Sequence, residues 1–210
     1  MKILRTVLFF SCSILCASCA SQKKIAFGYG KSIHYWGDHE NKIMCEILSD
    51  AANAAFGEKA SASAVNLDEN ADFESLKKYD AIYVIAEGED HHPFKGKSGL
   101  IKSLNENGTS FAFVHYSTTP TKNDNEDAIK DAIGGVYETY FSVNPTFEAK
   151  FEKFAKHPVS NGVKPFVLTD EIYFNIRFKD GADIAQSHGR AKTRTERAAS
   201  GLRRGMQFGR

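Results

Sequence analysis

The sequence predicts an α/β fold built on a mostly parallel sheet, and two observations carry that expectation. Short apolar runs alternate with helical patterns from residue 23 to residue 116. Such alternation means βαβ units. The first run stops at glycines and the third is apolar on both faces, as strands buried between two helical layers are.

Each element follows in order. "KKIAFGYG" (23–30) reads as the first parallel strand, and "KSIHYWGD" as the polar loop after it. A helix is expected over 39–56, with Ile43, Met44, Ile47, Leu48, Ala51 and Ala55 at three- and four-residue spacing. Asp38 is its expected N-cap and Gly57 its stop. "ASASAVNL" (60–67) is a second, weaker strand, "FESLKK" a short helix, and "DAIYVIAE" (80–87) a third strand. "GKSGLIKSLNENG" (96–108) is a helix closed by Asn-Gly, and "TSFAFVHY" (109–116) is the fourth strand.

The second half changes character. "GGVYETYFSVNPTFEAKFEKF" (134–154) alternates like strand and turns at Asn144-Pro145. "HPVSNGVKPF" (157–166) is a loop with two prolines. In "DEIYFNIRF" (170–178), Ile172, Phe174, Ile176 and Phe178 are expected on one strand face. From 181 to 210 the apolar signal collapses into a basic tail, expected to be disordered or outside the native frame.

With 27 Lys/Arg against 26 Asp/Glu, net charge is +1, so nothing global points to nucleic acid. Residues 1–20 read as an export signal: Lys2 and Arg5, the apolar run "TVLFFSCSIL", then small residues. Cys19, behind Ala17 and Ser18, is a candidate lipidation site, with cleavage after Ala20 as the competing route. The expected location is therefore periplasmic, either free or as a membrane-anchored lipoprotein. Three of four cysteines lie in that leader, so the mature domain keeps Cys45, expected to be a small buried hydrophobe without a disulfide.

In a parallel α/β sheet the functional crevice lies beyond the carboxyl ends of the strands. The loops there hold His34 and His39, then Glu87, His91 and His92, then His115. Five of the seven histidines thus fall on one expected rim.

These stretches, taken in order, resemble the ThuA-like (trehalose utilisation) family. "GKSIHYWGDHEN" resembles its first loop, "EGEDHHPF" the loop after the third strand, and "FVHYST" its fourth strand end. "IGGVYETYFSVNPTFEAKF" and "HPVSNGVKPFVLTDEIYFNIRF" are similar to later motifs, so the likeness spans about 24–178. The resemblance implies a flavodoxin-like three-layer α/β/α sandwich, as in class I glutamine amidotransferases. It also implies a role in the use of trehalose or related disaccharides, including keto sugars. His115 stands near where those amidotransferases carry a nucleophilic Cys, so amidotransferase activity is expected to be absent. Family members continue past the position of Phe178 with a further strand and Gly-rich motifs. The C-terminal part is therefore expected to be truncated.

The expected site is a polar pocket for a small carbohydrate. His115, His39, His92 and Glu171 are the candidate acid/base residues; His34, Trp36, Tyr116 and Tyr173 are the candidate substrate contacts. A hydrolase or an isomerase would both fit. A metal version would place Zn²⁺ or Mn²⁺ on His39, His92, His115 and a carboxylate. A non-catalytic carbohydrate-binding lipoprotein and an inactive truncated homologue are the alternatives.

Overall fold

The computed structural model describes residues 21–182 and the backbone of 188–191. Strands β1 (Lys23–Tyr29), β2 (Ala60–Asn66), β3 (Ala81–Ile85) and β4 (Ser110–Val114) form a parallel sheet in the order β2-β1-β3-β4. That is the flavodoxin-like order, in which the chain starts in the middle, steps to one side and then to the other. Helix α1 (Asn41–Phe56) packs on one sheet face against Phe27, Ile85 and their neighbours. The other face carries the larger core, with Ile82, Val84, Phe94, Ile101, Leu104 and Ile129 fully buried or nearly so. Helices α2 (Ser98–Glu106) and α3 (Glu126–Ile133) cover it. The three layers expected from the sequence are therefore present.

Helix α1 differs from its expected orientation. Its buried positions are Asn41, Cys45 and Ser49, while Ile43, Met44 and Ile47 are about half exposed. Two side-chain anchors set this rotation. Asn41 donates to the Gly30 carbonyl, and Asn53 both donates to and accepts from the Ala62 backbone. The N-cap is Glu40 rather than Asp38, and the Glu40 carboxylate accepts from the Gly37 amide. Gly57 ends the helix as expected.

Helix α3 was not anticipated. Its apolar set is short, and it is seated by buried Asn125, which accepts from the Thr121 amide. Gly134 closes it in the left-handed conformation with φ 84°.

The second half forms small antiparallel pieces. Strand β5 (Gly135–Val136) pairs with β8 (Arg177–Phe178), and β6 (Thr146–Lys153) lies between β7 (Phe166–Glu171) and β9 (His188–Ala191). The run expected to be one strand over 170–178 is broken. It leaves β7 at Glu171, and Asn175 adopts a left-handed φ of 57° before β8. Within the expected tail, the backbone of 188–191 pairs with β6. The rest of that tail, and the leader with Cys19, lie outside the described residues. Among the described residues no helix is long and apolar enough to cross a membrane.

Candidate functional site

Three imidazoles and a buried carboxylate meet at the C-terminal edge of the sheet. His34 and His39 come from the loop after β1, Glu87 from the end of β3 and His115 from the end of β4. The first two loops flank the point where the strand order reverses, which is where open α/β sheets place ligands. The rings of His34 and His39 lie 3.9 Å apart, and those of His39 and His115 4.9 Å apart.

Glu87 is the anchor. It is fully buried, and its ion pairs among the described residues are with imidazoles: His39 Nδ1 at 3.2 Å from Oε1 and His34 Nδ1 at 2.9 Å from Oε2. The His39 contact is a hydrogen bond. Oε2 has the His34 nitrogen 2.9 Å away and no other partner among the described residues. Burial pushes the Glu87 carboxyl up. The facing imidazoles outweigh burial and hold it below the usual carboxylate range, so it is ionised. Ligand atoms of His34, His39 and Glu87 all lie within 4.8 Å of one another.

His115 occupies the elbow. Strand β4 ends at Val114, and His115 opens a 3-10 turn with φ of 55°. A non-glycine residue held there is strained, and such strain clusters at functional sites. The turn is tied down by Ser117, whose Oγ accepts from the Val114 amide and lies 2.8 Å from the carbonyls of Val84 and Val114. His115 Nδ1 is 2.8 Å from the Tyr173 hydroxyl, which comes from the segment after β7. Burial holds the His115 imidazole below its ordinary value, and neighbouring His39 pushes it the same way. Glu171, Asp170 and Glu87 oppose that shift. Burial, then Glu171, lifts the Tyr173 phenol far above its ordinary range, so it keeps its proton.

A second layer surrounds the imidazoles. Tyr116 packs edge-on against His34 at 5.9 Å and donates to Glu89 Oε2. Thr139 donates to the other Glu89 oxygen. Burial and that carboxylate push the Tyr116 phenol up to about 12. The Tyr137 ring lies tilted against that of Tyr173, centroids 5.1 Å apart. Beyond Glu89 and Tyr137 opens a cleft of about 560 Å³, walled also by Asp90, His91, Glu138 and Tyr140. Glu89 and Tyr140, like His115, are non-glycine residues with positive φ, 51° and 71°.

The rim thus gathers His34, His39, His115, Tyr116 and Tyr173 as the sequence predicts. Three expected members stand elsewhere. His92 is buried beneath the elbow at 2% exposure, its ring stacked on Phe113, and both ring nitrogens are engaged within the core. It can neither ligate with His39 and His115 nor touch a substrate. Glu171 is exposed and accepts from Asn144, so it reaches His115 through its charge rather than by a bond. Trp36 is 94% exposed on its loop and makes no ring contact with the imidazoles. Glu87 was placed on this rim without a role. A carboxylate flush with the end of an apolar strand was the signal for its burial. Glu89 and Tyr137 had no such signal.

No family model and no curated protein matches the chain. Among solved structures, the chain is similar to a ThuA-like protein from Bacteroides uniformis, with a TM-score of 0.47 and 17% identity. The alignment covers 72% of this chain and 60% of that one, so the chain spans about three fifths of the length of the structure it matches.

Proposed function

We propose that this rim binds a small carbohydrate and transforms it by acid/base chemistry centred on His115, with no amidotransferase activity. The observation that carries the reading is the convergence of three imidazoles and buried Glu87 around a strained His115. The sugar itself, trehalose or a related disaccharide including 3-keto forms, rests on the sequence resemblance. The adjoining cleft supports it, since aromatic faces and acidic groups suit a polyhydroxylated ligand.

With its ordinary value lowered, His115 is neutral at pH 7 and can take a proton from a substrate hydroxyl. Tyr173 steadies the ring through Nδ1, and the hydroxyl keeps its proton throughout. Glu87 holds His39 and His34 as neighbouring groups for a substrate oxygen. An imidazole at the elbow cannot form a thioester, so glutamine hydrolysis should not occur. The leader motif supports export, with the lipid on Cys19 as the proposed anchor; intact mass of the native protein tests it.

The deciding experiment is turnover on a panel of disaccharides and their 3-keto forms. His115→Ala should lose about 10²-fold or more in turnover on the accepted sugar. Sugar binding without turnover by the unmodified chain would make the protein a carbohydrate-binding module instead.

A further inference from the structure

We propose that His34, His39 and Glu87 form a binding site for a divalent transition-metal ion, with Zn²⁺ preferred. The ion's part in turnover rests on the substrate-site reading above; its binding does not.

Glu87 poses the problem that an ion solves. An ionised carboxylate taken wholly out of water costs several kcal/mol unless matched by charge and hydrogen bonds. Here the matching groups are two imidazoles, and one carboxylate oxygen has a ring nitrogen 2.9 Å away without a hydrogen bond. The 2.9 Å between His34 Nδ1 and Glu87 Oε2 is close to the spacing of two ligands on one ion. Donors bound at about 2.0–2.2 Å in a tetrahedron lie roughly 3.3 Å from each other. One ligand atom from each of the three residues lies within 4.8 Å of the others, and each carboxylate oxygen faces its own imidazole, Oε2 at 2.9 Å from His34 Nδ1 and Oε1 at 3.2 Å from His39 Nδ1. Small side-chain shifts would bring them to a common ion.

The donor set selects the metal. Two imidazoles and one carboxylate leave a fourth position open, a recurrent pattern for catalytic zinc. Imidazole nitrogen disfavours Mg²⁺ and Ca²⁺, and at such a site Mn²⁺ binds more weakly than Zn²⁺. The pair His34 and His39 comes from one loop, five positions apart, while Glu87 lies two residues after β3. The buried carboxylate and the two imidazoles thus come from two different loops. His115, 4.9 Å from the His39 ring, stays available as the proton acceptor beside the ion. A bound ion would supply Lewis-acid polarisation of a substrate oxygen.

The test uses the full chain, stripped with EDTA and titrated with Zn²⁺ and with Mn²⁺ by calorimetry, with thermal melting in parallel. The expected result is one Zn²⁺ per chain, weaker Mn²⁺ binding and a Zn²⁺-dependent rise in Tm. His34→Ala and His39→Ala should each weaken Zn²⁺ on the order of 100-fold, as should Glu87→Gln, whereas His91→Ala should leave it unchanged. Exposed His34 keeps the test decisive if Glu87→Gln misfolds. No saturable Zn²⁺ binding, or binding that survives both histidine variants, overturns the proposal. Sugar turnover without Zn²⁺ binding would sink the metal site and spare the acid/base reading; Zn²⁺ binding without turnover would do the reverse.

Discussion

His92 Nε2 donates to the Ser117 carbonyl at 3.1 Å, tying the loop after β3 to the elbow that carries His115. The bond fixes the tautomer, because Nδ1 then accepts from the Phe94 amide at 3.0 Å and faces Asn125 Nδ2 at 3.4 Å. A proton on Nδ1 would confront those two donors. Burial is the main cause that lowers the imidazole to about 4, against the Ser117 carbonyl and Asp124, which favour the charged form. The folded state therefore holds His92 neutral where the unfolded chain, at its ordinary 6.5, takes up a proton. Stability should be full above pH 6.5 and should fall by about 3 kcal/mol as pH drops towards 4. Urea melts at pH 7, 5.5 and 4.5 check it. His92→Gln should be less stable at pH 7 and should lose this part of the pH slope; an unchanged slope would remove His92 as its source.

Gly88 is where the two loops touch. A Cβ built there would lie 2.5 Å from the Tyr116 carbonyl oxygen and 2.9 Å from that of Thr119. Those atoms are backbone and cannot swing away, and the Glu89 amide already donates to the Thr119 carbonyl. Gly88→Ala should therefore cost about 1–3 kcal/mol, the usual range for overpacking. Because Tyr116 follows His115, the variant should also lower sugar turnover, with KM and kcat both affected. Stability and kinetics equal to the parent would show that the loops separate freely.

The sheet was legible because apolar runs ending in glycines state both the strand and its end. The rim followed from strand polarity alone, which brought His34, His39 and His115 together before any coordinates. The misplacements came from rotation, which residue spacing does not encode. His91 and His92 are adjacent, yet a 3-10 turn over Glu89–His91 leaves one at the cleft and sends the other into the core. Helix α1 has apolar residues all round, and contacts of Asn41 and Asn53 with the sheet decide which of them face it. Glu171 was expected among the acid/base residues of the pocket. The carboxylate that meets the imidazoles is Glu87, visible in the sequence only as the last polar letter of a strand.

Cys45 tests the packing of α1. It is fully buried, and burial, with Glu46 adding, pushes its thiol up to about 12. A thiol so placed is protonated and out of reach at neutral pH. Iodoacetamide at pH 8 should leave Cys45 unmodified in the native protein and alkylate it in urea. Peptide mapping reads this residue apart from the leader cysteines. Fast native labelling would mean that α1 lifts off the sheet.

The titration of His115 tests the electrostatics of the elbow directly. Its neighbours act in opposite directions: burial and His39 lower it, while Glu171, Asp170 and Glu87 raise it. Neutralising Glu171 with Glu171→Gln should therefore move the His115 midpoint further down. Removing the neighbouring imidazole with His39→Ala should move it up, towards the ordinary value near 6.5. The Cε1 proton resonances, followed by NMR from pH 4 to 8, read both shifts without any substrate. In turnover, the basic form persists down to that lowered midpoint, so the acid limb should lie below pH 6.5 and follow the same two variants in the same directions. An acid limb that ignores both substitutions would take the proton-transfer role away from His115, even with the imidazole titrating as described.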